Sequence, residues 1–421
     1  MSARRAALVA AVLLGLALAV VIAVRTPWEV LPEPPGGRTP VDPAAVLSGG
    51  RLEQAESFAA ALRPASLISL LLGLTVSAVL GLTRLGARLV RGVAAPLGGG
   101  WAWQVLLGTL ALAVAGRLVT LPLSAYGEVV RHRYGLSTRG WGLWLRDVTV
   151  STAIDTGLTA LGLLALVWLA RRAGRTWWIW AGTGAAALVT AGSFLWPVLV
   201  EPAFNRFTPL AAGELRSDLL QLAEDNGTPV QNVLVSDASR RTTALNAYVS
   251  GFGSTRRIVV YDTLLDRLPD DQIESIVAHE LGHVAADDVL TGTLMGALGA
   301  GAGVAALGWL LSWAGLLRRA GAESAGDARV VPLLLFLVAV GTLVSTPVQN
   351  LVSRQVEARA DVHALDLTDD PAAFVRMQRG LADTNLSDPD PPAAWQWFFG
   401  SHPTAAQRMA MAADWARLER P

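Results

Sequence analysis

The chain has 421 residues, 52% of them hydrophobic and only 16% charged, and its mean hydropathy is +0.42. That is too apolar for an ordinary soluble enzyme, and a formal net charge of zero gives no bulk attraction for nucleic acid. With no cysteine, disulfides, thiolate catalysis and cysteine-based zinc sites are excluded.

Taken in order, Ala6 to Val24 is an apolar run behind Arg4 and Arg5, read as a first membrane helix rather than a cleaved leader. Arg25 to Pro64 is Pro- and Gly-rich and reads as a loop with short helical pieces. Four more runs follow: Ala65 to Thr83, Trp101 to Ser124 with Arg117, Val148 to Ala170 with Asp155, and Trp177 to Val200. Each is about long enough to cross a hydrocarbon core as a helix. Many of the 15 tryptophans sit at the ends of such runs, as an interfacial belt requires.

Composition changes at 201, where charges become frequent. Ala211 to Asn226 has helical spacing and ends at Gly227. Residues 233–237, 246–250 and 257–261 read as short strands, with Gly251-Phe252-Gly253-Ser254 as the turn between the last two. Val289 to Leu317 and Val330 to Leu351 are a sixth and seventh span, and the chain is polar again from Ser353. The expected division is a five-span membrane region (1–200), a first catalytic part (201–288), a membrane hairpin (289–351) and a second catalytic part (352–421).

The chemistry is concentrated at His279-Glu280-Leu281-Gly282-His283. On a helix, positions i and i+4 share a face, so both imidazoles can reach one metal ion. Two neutral imidazoles suit zinc, and Glu280 beside them suits general-base work on a metal-activated water. The flank supports a helix: Ile273, Ile276, Val277, Leu281 and Val284 recur at helical spacing. Asp271 is placed as its N-cap, with Glu274 reaching back as a variant capping box. Gly282 leaves room for close packing near the metal.

Two histidines make half a catalytic zinc site. Glu357 and Asp361, four apart on an expected helix, share a face. They read equally as a third ligand with a partner for a ligand imidazole, or as a solvated charged face. His402, before Pro403, and Arg408 one to two turns on could serve a developing oxyanion; on spacing alone His402 also reads as a turn residue. His363 should point away from the Asp361 face, and His132 is expected in an Arg-rich loop far upstream.

In this order, the motifs resemble the M48 family of membrane zinc metallopeptidases and its Ste24 type, the CAAX prenyl protease 1 group. The resemblance rests on Leu121-Pro-Leu-Ser124, Arg131-His-Arg-Tyr-Gly-Leu-Ser137 and Phe204-Asn-Arg-Phe-Thr-Pro-Leu210. It continues in Asn246-Ala-Tyr-Val249, 257–265, the His279–His283 motif, Glu357-Ala-Arg-Ala-Asp361 and Ser401-His-Pro403 with Arg408. The long Pro-rich loop after the first span departs from it.

The resemblance implies a mainly α integral membrane protein. Its fold would be about seven transmembrane helices forming a chamber, with an α+β zincin-type catalytic domain split by a membrane hairpin. It implies one Zn2+ held by His279, His283 and Glu357, with Asp361 behind them and Glu280, His402 and Arg408 in the active site. It implies an edge strand at Asn246, Ala247 and Tyr248, on which an extended peptide docks by β-addition. Arg117 and Asp155 would face the chamber or pair structurally. The expected partners are a peptide or protein substrate, in some cases lipidated, and the lipid bilayer, with no nucleic acid. The expected function is endopeptidase cleavage, in CAAX-type processing or in membrane protein quality control. A non-catalytic scaffold on the same fold and a zinc hydrolase of non-peptide substrates are the rival readings.

For orientation, Arg4, Arg5, Arg84, Arg88, Arg91, Arg171, Arg172, Arg175, Arg318 and Arg319 fall on one side of a seven-span arrangement. Catalysis falls on the other, which the positive-inside rule taken literally would place outside. Arg131, Arg133, Arg139 and Arg146 weaken that bias, and the family implies a cytoplasmic catalytic side.

Overall fold

Hydropathy dictates where the helices lie. In the computed structural model, which describes residues 2–251 and 253–419, the first is α1 (Ala3–Arg25). Its apolar side chains point outward, with Leu13, Leu16 and Val20 each about 60% exposed, as a lipid-facing helix requires. After an extended segment come α2 (Gly50–Leu82), the short α3 (Arg84–Ala94), α4 (Trp101–Arg133), α5 (Trp141–Arg172) and α6 (Trp177–Leu199). Three of these outrun the apolar stretches that announce them. α2 begins 15 residues before Ala65 and carries Pro64 within it, so the expected loop ends near residue 49. α4 runs through Pro122 and includes His132, which is therefore helical; its Nε2 lies 3.5 Å from the buried Glu128. Helices of 32 or 33 residues are about 50 Å long, well beyond a hydrocarbon core of about 30 Å.

The polar segment forms a four-stranded sheet: β1 (Phe207–Pro209), β2 (Asn232–Ser236), β3 (Ala247–Ser250) and β4 (Arg257–Tyr261), in the order β1-β2-β4-β3. β1 was not legible: it has three residues, ends in proline and sits at an edge, where a missing N–H costs no ladder bond. β2 and β4 are parallel, while β3 is antiparallel to β4 and forms the other edge. Phe252, in the expected turn, lies outside the described residues.

Helix α7 (Glu214–Asp225) follows β1, and the short α8 (Asp262–Leu265) leads to α9 (Asp270–Ala285). Then come α10 (Asp288–Leu310), α11 (Ala314–Ala320), α12 (Val331–Thr368), α13 (Pro371–Asn385), α14 (Ala393–Phe399) and α15 (Ala405–Glu419). The expected sixth span is thus shorter than its apolar run, and the seventh longer. α12 passes without a break from the apolar span into the polar segment that bears Glu357 and Asp361. Among the described residues, seven helices are long and apolar enough to cross a membrane.

Two cores result. One packs Leu219, Ile258, Val260, Ile273, Val277, Leu281, Leu365 and Phe374 between the sheet and α9, α12 and α13. The other joins the far ends of the spans through Val90, Val105, Val167, Val331 and Leu334. α10 packs between α1 and α6 with small residues at the contact. A Cβ at Gly308 would lie 2.8 Å from Trp178 Cβ, the close approach that association within lipid favours. Asp155 lines an intramembrane cavity of 230 Å³ together with Ser77, Thr109 and Thr159. Arg117 does not pair with it: its buried Nε has no hydrogen-bond partner among the described residues.

Candidate metal centre

The centre is built on α9. Its first turn carries Asp270 and Asp271, favourable charges at a helix N-terminus. Pro269, in an extended conformation, is the N-cap and makes no side-chain cap bond. The expected capping box is therefore absent. The helix starts one residue before Asp271, which bonds to Arg376 at 2.7 Å instead. Ile273, Val277 and Leu281 are buried on the sheet side. The opposite face turns His279, Glu280 and His283 into a cavity of 670 Å³.

α12 lies against α9 because Gly282 lets it. A Cβ there would meet Ala360 Cα at 3.2 Å and His363 Cβ at 3.1 Å. His363 points away from the histidine pair, its Nε2 2.6 Å from Asn226 Oδ1. This packing presents Glu357 to both histidines: its Oε2 is 3.2 Å from His279 Nε2 and its Oε1 3.7 Å from His283 Nε2. The two Nε2 atoms are 3.2 Å apart. Donors each 2.0–2.1 Å from a tetrahedral ion stand roughly 3.3 Å apart, so His279, His283 and Glu357 have the spacing of a metal-ligand set.

The other ring nitrogens fix the tautomers. His279 Nδ1 lies 2.8 Å from Asp361 Oδ1, and His283 Nδ1 lies 2.9 Å from Asp288 Oδ2. Each carboxylate can hold a proton on Nδ1, which leaves both Nε2 lone pairs facing the common point, the usual support for ligand histidines. Asp288 was missed in the sequence. It follows the motif by five residues across a break at Asp287, whose φ is +54°, so helical spacing could not place it. Arg359, also from α12, bonds to Asp288 and anchors it.

Asp361 is fully buried and bound by Arg408, whose Nε donates to Oδ2 at 2.7 Å and whose Nη2 donates to Oδ1. Arg408 Nη2 also lies 3.3 Å from His279 Nδ1. The guanidinium thus stands behind His279, where the sequence reading expected a donor beside the substrate, although it still borders the cavity. Burial holds the His279 imidazolium down, but the Asp361 and Glu357 carboxylates outweigh it and push the group up to about 9. Burial pushes the Glu280 carboxyl above the usual range, with His279 and His283 opposing.

His402 reaches in from the opposite wall, its Nε2 3.4 Å from Glu357 Oε1. Its loop is held by Gln396, whose Nε2 donates to the His402 carbonyl at 2.7 Å. A Cβ on Gly400 would lie 2.7 Å from the Gln396 carbonyl oxygen, so glycine permits that turn. Gln396 was also missed, because nothing in its spacing distinguishes it.

Asn246, Ala247 and Tyr248 line the same cavity. The Asn246 carbonyl accepts from Tyr261 N at 3.0 Å. By the alternation of an antiparallel pair, the peptide groups of Ala247 and Val249 then point to the free edge. The Tyr248 hydroxyl donates to Glu201 at 3.1 Å. Every sequence-predicted site residue therefore borders the cavity or, like Asp361, stands directly behind it.

Comparison with known proteins identifies the family. The model of peptidase family M48 matches residues 209–416. The model described as CAAX prenyl protease N-terminal, five membrane helices, matches residues 38–206. An uncharacterized metalloprotease of Bacillus subtilis, YhfN, is 36% identical over 300 residues, 71% of this chain and 70% of that protein. A CAAX prenyl protease 1 homolog of Arabidopsis thaliana is 29% identical over 303 residues, 70% of this chain and 69% of its own. The crystal structure of S. mikatae Ste24p shares the fold, with a TM-score of 0.76 at 21% identity, over 96% of this chain and 98% of that one. The chain belongs to peptidase family M48, as a Ste24-type membrane metalloendopeptidase.

Proposed function

We propose that the metal is zinc and that the enzyme cleaves peptides bound as an added strand along β3. The observation that carries this reading is a three-donor set facing a cavity whose wall is a free sheet edge. Two imidazoles and one carboxylate are a donor set that suits zinc and leaves a position open. Bound there, the ion would supply Lewis-acid chemistry, polarising a carbonyl oxygen and acidifying water.

The chain's own groups do the rest. The peptide groups of Ala247 and Val249 hold the substrate backbone in register, and Tyr248 and Asn246 border its side chains. Glu280 takes a proton from the attacking water and returns it to the leaving amine, work that a raised carboxyl favours. His402 donates to the developing oxyanion. Arg408, with two nitrogens engaged by Asp361, positions the His279 ring and adds positive charge to the site.

Residues 201–288 and 352–421 act as two pieces of one catalytic unit, and that unit faces the cytoplasm. Its substrates reach it from the membrane, and the names of the CAAX prenyl protease relatives point to lipidated C-terminal segments. The test is a pair of reporter peptides of one sequence, with and without a prenyl group, given to protein of measured zinc content. Cleavage that follows zinc content supports the assignment, and preference for the prenylated peptide supports the substrate class. Zinc-loaded protein that cleaves neither peptide sinks the proposal.

A further inference from the structure

At the end of the molecule far from the metal, α3 and α11 bring arginines together around a second polar cavity. Its volume is 320 Å³, and five arginines and one carboxylate line it: Arg84, Arg88, Arg91, Arg318, Arg329 and Glu323. Arg329 is paired with Glu323 and Asp327. Arg84, Arg88, Arg91 and Arg318 are exposed, and among the described residues no ion pair places a carboxylate beside any of them.

The scaffold holding them is tight. Val90, on the buried face of α3, packs so closely on α4 that a Cβ at Gly108 would lie 2.8 Å from its Cγ2. Gly86 lets α3 approach Pro332, where a Cβ would come within 2.7 Å. α11 ends at Gly321, with φ +78°, and a Cβ there would lie 3.0 Å from Ala87 Cβ. The arginines on the outer face of α3 and at the end of α11 therefore converge on a backbone with little freedom to move.

Aromatic residues set the depth. Arg171 lies over the Trp101 ring at 5.3 Å, and Arg4 over Trp313 at 5.0 Å. Trp101, Trp177 and Trp313 all flank helix ends on this side, and such aromatics mark the headgroup layer of a bilayer. Glu357 is 26 residues along α12 from Val331, about 39 Å of helix, so this cavity is separate from the catalytic one.

We propose that this cavity binds the phosphate headgroup of an anionic phospholipid. Guanidinium groups match phosphate oxygens with paired N–H donors, and basic pockets between membrane helices take such headgroups. The wall of α3 that carries no arginine, with Leu85 and Leu89, offers apolar surface for the start of an acyl chain.

The test uses the full-length protein, purified in detergent. Retained lipid is counted by native mass spectrometry after exposure to phosphatidylglycerol, to phosphatidylcholine or to inorganic phosphate alone. Wild type should retain phosphatidylglycerol selectively. The variant R88Q/R318Q should lose it by roughly thirtyfold in affinity, the effect of two arginines at an anionic surface. The variant R172Q/R175Q removes the same charge on the same side but outside the cavity, and should retain the lipid. Peptide cleavage in micelles by R88Q/R318Q at the wild-type rate shows that it is folded. Equal loss from both variants would overturn the proposal in favour of diffuse surface charge. So would equal retention of phosphatidylcholine. Inorganic phosphate displacing phosphatidylglycerol at equal concentration would assign the cavity to a free anion and overturn the lipid.

Discussion

Asp361→Asn separates two jobs that one buried carboxylate performs. Its oxygens are fully buried and serve His279 Nδ1 at 2.8 Å and Arg408 Nε at 2.7 Å. The amide keeps the shape but cancels the charge, and its NH2 group turns a donor toward other donors. Arg408, itself largely buried, is left without its counter-charge. Losing one partner of a buried pair costs about 3–5 kcal/mol. Losing the group that orients a ligand histidine costs about 10–100-fold in metal affinity. Thermal unfolding of the metal-free protein reads the first effect, and a chelator-competition titration the second. The double variant D361N/R408Q removes the stranded guanidinium, so most of the lost stability should return. Metal affinity should stay low, because no carboxylate faces His279. An unchanged midpoint and affinity in D361N would refute the reasoning. A double variant no more stable than the single one would show that Arg408 does not act through Asp361.

Glu280→Gln should keep its metal by elemental analysis and cleave a reporter peptide about 10²–10⁴-fold more slowly; wild-type turnover would end its role as the base. Glu357→Ala removes a donor 3.2 Å from His279 Nε2 and should lose metal outright; full metal content would mean another ligand set. His402→Ala should retain metal and show a turnover roughly 10²–10³-fold lower with KM little changed; loss of metal instead would make His402 a ligand. Metal uptake should depend on pH. With His279 at about 9 in the metal-free protein, its Nε2 carries a proton at neutral pH that the ion must displace. Apparent affinity should therefore fall by up to about tenfold for each pH unit below 9 and level off above it. A flat titration between pH 6.5 and 8.5 would contradict that.

The sequence carried the centre further than it carried the frame. His279, Glu280 and His283 were legible because one helix turn sets their geometry. Glu357 and Asp361 were ambiguous on spacing, since two carboxylates four apart serve a solvated face equally well, and Gly282 resolves the ambiguity by drawing α12 onto α9. Asp288 stayed hidden because the kink at Asp287 breaks the periodicity that would have placed it. The spans were found, but those of α2, α4, α5 and α12 were cut short. Hydropathy senses the part of a helix that lipid touches, whereas α2 and α4 continue past it as polar helix, and Arg51 and Arg63 of α2 pair there with Asp383 and Asp388 of the catalytic part. Pro64, read as the end of the loop, sits like Pro122 within a continuous helix, where neighbouring helices can re-satisfy the freed backbone groups.

The continuity of α12 is what joins membrane and chemistry. At 38 residues it is about 57 Å long, nearly twice the thickness of a hydrocarbon core. Glu357, about 39 Å from its start, stands just past the apolar layer on the side where the sheet lies. α9, carrying the other two ligands, is joined to α10 through only Asp287 and its neighbour Ala286. Both halves of the donor set are therefore rooted in the same hairpin, one before it and one after it. If α10 and α12 cross the membrane as their length and hydropathy allow, the three donors come together once the hairpin has returned to the side of the sheet. On the proposed reading, a catalytic part split around a membrane hairpin would set the height of the metal above the bilayer by the length of a helix, and that offset would present the β3 edge to chains emerging from the membrane side.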